Sequence, residues 1–299
     1  MVTGHSGFVG TALRQCIEAA QPAGPLWLAP ADDFNLLDAA SVQRAVAQRP
    51  DWILHLAAQT HVPTAWADPA HTLQVNAGGT ATLLKALADA KFAGRLLFVS
   101  SADVYGTVPE SELPVTEQRA PAPRNPYASS KVAGEVLCQQ WARTHGLDIV
   151  IARPFNHTGP GQRGDFALPS FAREIAAIAR GAQPARILTG DLDVTRDFLD
   201  VRDVVAAYLA LLESGQGGQT YNVCSGREVR LRDALEALVA LAGVRADIVT
   251  DPARLRPSEQ RRMCGSHARL TQATGWQPRI SLHETLQALT DHWKLEPST

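Results

Sequence analysis

Thr3-Gly4-His5-Ser6-Gly7-Phe8-Val9-Gly10 places three glycines at a spacing of three and three. A strand-to-helix turn needs glycine where φ is positive and where backbone must come close to a pyrophosphate. The helix that follows offers unpaired N–H groups and the positive end of its dipole to the same anion. Alone, the motif fits an ordinary glycine turn equally well. Only Met1 and Val2 precede it, so the first strand must be very short. The downstream pattern decides between the two readings. Aliphatic runs at 25–30, 51–57, 95–100 and 148–153 alternate with Ala/Leu-rich helical stretches at 8–20, 39–48, 72–90 and 126–144. Apolar strands alternating with helices make a parallel sheet covered on both faces. Right-handed crossovers then give an α/β, doubly wound Rossmann fold with its crevice at the carboxyl ends of the strands.

Beyond Arg153 the pattern loosens. Residues 154–165 are rich in Gly, Pro and Asn and read as a long loop. Helices are expected near 167–180, 201–214, 231–241 and 282–293, with short strands near 187–188, 220–223 and 247–250. Asp200 suits the N-cap of the second of these helices, with Asp203 three residues on to complete a capping box. The division implied is a dinucleotide-binding domain over 1–155, with later pieces at about 191–224. A smaller intertwined α/β lobe takes 156–190 and 225–299, and the two share one cleft.

The 299 residues carry 28 Lys+Arg against 30 Asp+Glu, a net charge of −2, which gives no support for a nucleic-acid or polybasic membrane surface. With 45% apolar residues the chain can bury roughly three quarters of its unfolded surface, so no disulfide or metal staple is needed. No apolar run reaches the roughly 18 residues of a spanning helix, and the N-terminus has no signal-peptide pattern. Cys16, Cys138, Cys224 and Cys264 stand far apart and read as reduced thiols of a cytoplasmic protein. The nine histidines show no ligand spacing, so no metal is expected.

Asn125-Pro126-Tyr127-Ala128-Ser129-Ser130-Lys131 carries the sharpest chemistry. Asn125 suits an N-cap and Pro126 the first helical position, which puts Tyr127 and Lys131 one turn apart on one face. With four tyrosines and four lysines in the chain, chance places such a pair far less than once. An ammonium about 4 Å from the phenol contributes on the order of 4 kcal/mol at an effective dielectric near 20. That is enough to bring the phenol from about 10 toward neutrality, where a general acid works best. Ser101, in Val99-Ser100-Ser101-Ala102-Asp103, ends a strand where a hydroxyl can bond a carbonyl oxygen as charge develops on it.

These motifs together resemble the extended short-chain dehydrogenase/reductase family over nearly the whole chain. The resemblance implies Ser101, Tyr127 and Lys131 as a catalytic triad. It implies cofactor contacts by Gly4, Gly7, Phe8, Val9 and Gly10, by Leu56-Ala57-Ala58, by Asn76, and by Asn35-Leu36 at the adenine. The segments Arg153-Pro154-Phe155-Asn156-His157-Thr158-Gly159-Pro160-Gly161-Gln162, Thr195-Arg196-Asp197-Phe198 and Leu255-Arg256-Pro257-Ser258-Glu259 are similar to those of GDP-4-keto-6-deoxy-D-mannose reductases, which make GDP-D-rhamnose. The implied partner is a GDP-linked keto-deoxy sugar, hexose or heptose. A diphosphate needs fixed cations, and arginine's fork matches it. Arg196, Arg256 and, more weakly, Arg173 are the candidates, with Glu259 for the nucleoside ribose, Asn156 for sugar or phosphate, and Asp103 beside the sugar. The cofactor is NADP(H) or NAD(H). Ala29 and Pro30 stand where a carboxylate selects NAD, Asp32 and Asp33 lie just beyond, and no Arg is adjacent for a 2′-phosphate.

The expected reaction passes hydride to C4 of the keto sugar while Tyr127 protonates O4. A 4,6-dehydratase would need an added carboxylate beside the serine; Asp103 stands there, one methylene short of Glu. The same motifs fit a 4-epimerase, which retains its cofactor through turnover, and the fold alone fits a non-catalytic nucleotide sensor. The resemblance also implies a homodimer through a four-helix bundle built on 72–90 and 126–144, with Leu73, Leu83, Leu84, Val132, Val136 and Trp141 as candidate apolar surface.

Overall fold

The computed structural model describes residues 1–20, 34–255 and 260–295. The expected strand at 25–30, with Ala29, Pro30, Asp32 and Asp33, lies outside the described residues, as do Arg256 and Glu259. The first half contains β1 (Val2–Thr3), α1 (Phe8–Ala20), α2 (Ala39–Val46), β2 (Trp52–His55), α3 (Val62–Ala67), α4 (Pro69–Leu73), α5 (Gly79–Asp89), β3 (Arg95–Val99), α6 (Pro126–His145) and β4 (Asp148–Pro154). The second half adds β5 (Asn156–Thr158), α7 (Ala167–Ala179), β6 (Arg186–Thr189), β7 (Thr195–Asp200), α8 (Val201–Ser214), β8 (Thr220–Val223), β9 (Glu228–Arg230), α9 (Leu231–Ala242), β10 (Asp247–Thr250), α10 (Ala268–Thr274) and α11 (Leu282–Leu295).

Five parallel strands form the main sheet in the order β1-β2-β3-β4-β8. Side chains alternate faces along a strand, so each central strand feeds two cores. Leu54, Leu97 and Val150 point into one core with Leu13 of α1 and Val204, Tyr208 and Leu211 of α8. Ile53, Leu96, Phe98, Ile149 and Ile151 point into the other, with Val42, Leu83, Leu84, Leu87 and Cys138. Each fully buried Leu or Ile contributes about 1.5–3 kcal/mol, so this double-sided burial holds the strand ends rigid beneath the cleft. A third core joins α7, α9 and α11 over the β6–β10 pair through Phe171, Ile175, Leu235, Leu238 and Leu289. A fourth, around Tyr105, Val108, Phe155, Cys224 and Met263, lies where the sheet ends meet the second lobe.

Several expectations change in detail. The helix expected over 72–90 runs without a gap, but Gln74–Gly78 forms a π turn between α4 and α5. Its Asn76 side chain bonds across to other elements, and Gly79 presses on Leu36 so closely that a Cβ would stand 2.6 Å from Leu36 Cδ2. Such π turns arise where a helix must re-aim one residue. The loop over 154–165 contains β5, paired in parallel with β7, and β7 pairs in turn with β9. These strands are short and polar, and long-range pairing alone creates them. Asp200 caps α8 by accepting from Arg202 N at 2.8 Å. Asp203 does not close a capping box; its carboxylate instead accepts from Arg279 N and Ile280 N, pinning a distant segment. Leu83 and Leu84 are fully buried in the chain's own core, and Trp141 stacks on His145 at 4.2 Å. Val132 packs on the fourth core, which leaves Leu73 and Val136 exposed, at 42% and 56%.

Candidate active site

A cleft of about 1750 Å³ runs along the carboxyl ends of the strands. One wall is the glycine turn. Gly4 has φ 72°, and a Cβ there would meet Ala57 N at 2.7 Å. A Cβ on Gly10 would meet His5 O at 2.5 Å. These two glycines let strand, turn and helix close on each other, while Gly7 faces the cleft. First-turn N–H groups of a helix have no partner four residues back. With Phe8, Val9, Leu56, Ala57 and Ala58 also on this wall, the donors and the space fit a dinucleotide's pyrophosphate.

The wall is braced from behind. Thr3 Oγ1 accepts from Ala57 N at 3.2 Å and donates to His55 Nδ1 at 2.7 Å. His55 Nε2 then donates to Thr80 Oγ1 at 3.2 Å, and Thr80 donates to Asn76 O at 2.5 Å. Burial first, and Lys131 second, push the His55 pKa down to about 3, so the ring is neutral.

The floor carries the proton-transfer groups. Asn125 caps α6, its Oδ1 accepting from Ala128 N at 2.7 Å, with Pro126 at the first position; Gly146 ends the helix in the left-handed region. Tyr127 therefore faces the cleft, with the Ser101 hydroxyl close enough to its phenol to favour the ionised form. Ser101 Oγ also accepts from Asp103 N at 3.1 Å, which fixes the serine at the strand end. Lys131 Nζ donates to Val99 O at 2.8 Å and lies 5.9 Å from the Tyr127 ring centroid. The expected lowering of the phenol does not occur. Burial and the Asp103 charge push the Tyr127 pKa up, and only the Ser101 hydroxyl opposes them. Lys131 itself is brought down to about 8 by burial, partly offset by Cys138 and Glu135. The tyrosine is thus a proton donor before reaction, not a preformed phenolate. Asp103 faces open cleft but is crowded by protein, which raises its carboxyl; its hydrogen bond to Asn125 and the charge of Arg196 oppose that.

The opposite wall is built by side chains from the second half of the chain. Arg196 lines it, with Nη1 donating to Thr195 O at 2.7 Å and to Gln260 O at 2.8 Å. Asn156 lies beside it, and His157 stacks on Phe8 with ring centroids 6.1 Å apart. His157 Nδ1 donates to Phe155 O at 2.9 Å, and burial lowers its pKa.

Other expected contacts are placed elsewhere. Asn76 is spent internally: Oδ1 accepts from Gln59 N at 2.8 Å, and Nδ2 donates to Gln59 O and Ser130 Oγ. It ties the β2 loop to α6 and does not line the cleft. Asn35 closes its own loop by accepting from Leu37 N at 2.9 Å, a local bond this residue type favours; Leu36 is buried beneath. Arg173 stands exposed on α7 beside Gly164, off the cleft wall. Sequence reasoning missed Glu135 and Arg153. The spacing Tyr127, Lys131, Glu135 was the available signal for the first of them.

A family model described as GDP-mannose 4,6 dehydratase matches residues 31–289. The GDP-6-deoxy-D-mannose reductase of Pseudomonas aeruginosa is 50% identical over 98% of this chain and 96% of its own length. The chain belongs to the extended short-chain dehydrogenase/reductase family. Within that family, a dTDP-glucose 4,6-dehydratase of Streptomyces niveus is 29% identical over 96% of this chain and 90% of its own length. Among solved structures, RMD from Pseudomonas aeruginosa complexed with NADPH superposes with a TM-score of 0.93 at 48% identity, covering 98% of this chain and 97% of that one. The Thermus thermophilus UDP-glucose 4-epimerase complex with NAD gives 0.84 at 29% identity, covering 98% of each chain. The family thus spans reductases, dehydratases and epimerases on one scaffold, and the site's own groups must choose among them.

Proposed function

We propose that this chain is a nucleotide-sugar 4-reductase that uses NADPH, with NADH as the second choice, to reduce the C4 keto group of GDP-4-keto-6-deoxy-D-mannose to GDP-D-rhamnose. The half-identical relative bears the name of a GDP-6-deoxy-D-mannose reductase, and its structural counterpart holds NADPH. The observation that carries the reading is the proton inventory beside C4. Burial keeps Tyr127 protonated beside Ser101, Ala102 has no proton to move, and Asp103 is one methylene shorter than Glu. One proton donor suffices for reduction, whereas dehydration needs a further acid and base at C5 and C6.

A nicotinamide cofactor held along the glycine turn would supply the hydride. Ser101 donates to the C4 carbonyl oxygen and fixes its direction. Tyr127 delivers its proton to that oxygen as charge develops there. The Lys131 ammonium lowers the cost of the phenolate left behind. Arg196 and Asn156 hold the diphosphate and sugar, Asp103 borders the sugar, and Arg256 and Glu259 are the further candidates, while Arg173 lies off the cleft wall. The glycine turn with Leu56, Ala57 and Ala58 holds the cofactor. We assign residues 1–155 and about 191–224 to the cofactor domain, and 156–190 and 225–299 to the substrate lobe.

A second copy of the chain is the partner we assign to the exposed α4 and α6 face. Leu73 and Val136 there offer apolar side chains to a four-helix bundle. Among the described residues no helix is long and apolar enough to cross a membrane. The four free thiols, three of them buried, suit the reducing cytoplasm we assign to it.

The test supplies GDP-4-keto-6-deoxymannose with NADPH or NADH. The expected outcome is one reduced cofactor consumed per sugar, with the C4 configuration of GDP-D-rhamnose by NMR. Turnover without net cofactor consumption overturns the reading in favour of an epimerase or dehydratase.

A further inference from the structure

Helix α6 meets the end of β3 through three successive turns. Tyr127 faces Ser101, and Lys131 donates to Val99 O at 2.8 Å. One turn further on, Glu135 Oε1 accepts from Ser100 Oγ at 2.5 Å. Positions i+4 and i+8 of one helix thus hold two consecutive residues of one strand end, and position i faces the third. The third rung is anchored from the next strand. Arg153 of β4 clasps Glu135 with two hydrogen bonds, Nε to Oε1 at 2.9 Å and Nη2 to Oε2 at 2.6 Å. Its guanidinium lies 4.8 Å over the Tyr105 ring, whose hydroxyl donates to Asn222 of β8 at 2.6 Å. Glu135 and Arg153 are buried and do not line the cleft, whereas Ser100, equally buried, lies at its edge beside Ser101.

A buried carboxylate and guanidinium gain little net stability over an apolar pair of the same size. A bidentate, three-element clasp does fix geometry. It does so one residue from Ser101 and one helical turn from Lys131.

We infer that Glu135 is a positioning residue for the reduction: it locks Ser101 in register with Tyr127 and supplies the counter-charge for the buried Lys131 ammonium. The inference rests on the reductase reading above. Lys131 is faced by Tyr127, Glu135 and Cys138 from its own helix, by His55 from β2, and by the Phe98 ring and Val99 carbonyl from β3; Arg153 of β4 stands behind Glu135. Of these groups Glu135 is the anion. Removing its charge therefore drives the lysine toward its neutral form at lower pH.

The experiment compares wild type with Glu135→Gln and Ser100→Ala. Gln keeps the shape and an acceptor for Ser100 but loses the charge. We expect kcat of Glu135→Gln to fall about tenfold to a hundredfold, the range that a small misplacement of reacting groups costs. KM for keto sugar and cofactor should stay within about twofold, since no ligand contact is removed. The alkaline limb of the kcat–pH profile should move to lower pH. Ser100→Ala should lower kcat and leave that limb in place. If the single variant fails to fold because Arg153 loses its counter-charge, the double variant Glu135→Gln/Arg153→Met removes both charges and is read the same way.

A second readout needs no turnover. The chain has only four lysines, so carbon-13 labelling at lysine Cε lets Lys131 be titrated by NMR, and its midpoint should fall in Glu135→Gln. A folded variant with wild-type kcat, pH limb and lysine titration overturns the inference. So does a kcat loss that merely tracks the melting temperature while limb and titration stay put. Wild type inert toward the keto sugar would defeat the reductase reading instead, and the lysine titration would still decide the Glu135–Lys131 coupling.

Discussion

The two walls of the cleft are made differently. The glycine wall is mostly backbone: φ at Gly4, contact distance at Gly10, and helix N–H groups that come with any α1. The opposite wall is mostly side chain, and two of its side chains have remote partners. Arg196 is held by the carbonyl of Gln260, 64 residues on, and His157 is stacked on Phe8 from the other lobe. A backbone-built site needs a short spacing of small residues and tolerates little else. A side-chain-built site admits many sequences, and its specificity is correspondingly easier to change.

The floor sits between them, and the largest effect is expected there. Tyr127→Phe keeps the buried ring and removes the phenolic proton proposed for O4. Single-turnover reduction should slow by about 10²–10⁴ with folding intact. An unchanged rate would remove the floor from the comparison and hand proton transfer to one of the walls.

The brace behind the glycine wall predicts acid sensitivity. His55 has a folded pKa of about 3 against an ordinary value of 6.5. Its stabilising contribution is fully present above 6.5. It is lost as pH falls toward 3, because the unfolded chain takes the proton first, at up to about 1.4 kcal/mol per pH unit. Denaturant melts from pH 7 to 4 should show that loss, and His55→Gln should flatten it. A His55→Gln curve as steep as wild type would mean that the wall is held by something else.

Next in size, Gly10→Ala should cost about 1–3 kcal/mol of stability or the equivalent in cofactor affinity, because its Cβ meets backbone rather than a movable side chain. Thermal melts with and without NADPH measure both. Arg196→Ala should raise KM for the GDP-sugar by about 1.5–3 kcal/mol, the worth of a hydrogen bond to a charged group, and leave cofactor affinity unchanged. If cofactor affinity fell equally, the two walls would not be separable binding surfaces.

How much was legible in advance follows the same division. The parallel sheet was legible because Leu96, Phe98, Ile149 and Ile151 are apolar on one face while Leu97 and Val150 are apolar on the other, and few other folds need both. Asn125, Tyr127 and Lys131 were legible because a helix fixes what lies one turn apart. Asn76 was misread as a ligand contact because nothing local tells that Gln59 and Ser130 take its amide. Asp203 was misread as a cap partner for the same reason. The state of Tyr127 was also misjudged: spacing gives the nearness of an ammonium but not the burial and the Asp103 charge that outweigh it.

By itself, then, the sequence determined the strand–helix alternation, the glycine turn and the helical register of the proton-transfer pair. Each depends on backbone geometry over a few residues. Tertiary structure alone decided which strand end faces that pair, which polar groups are spent on one another, and which proton the phenol keeps. Desolvation and charge act through space, and their sources here lie on separate elements brought together only when the sheet and its two lobes close around the cleft.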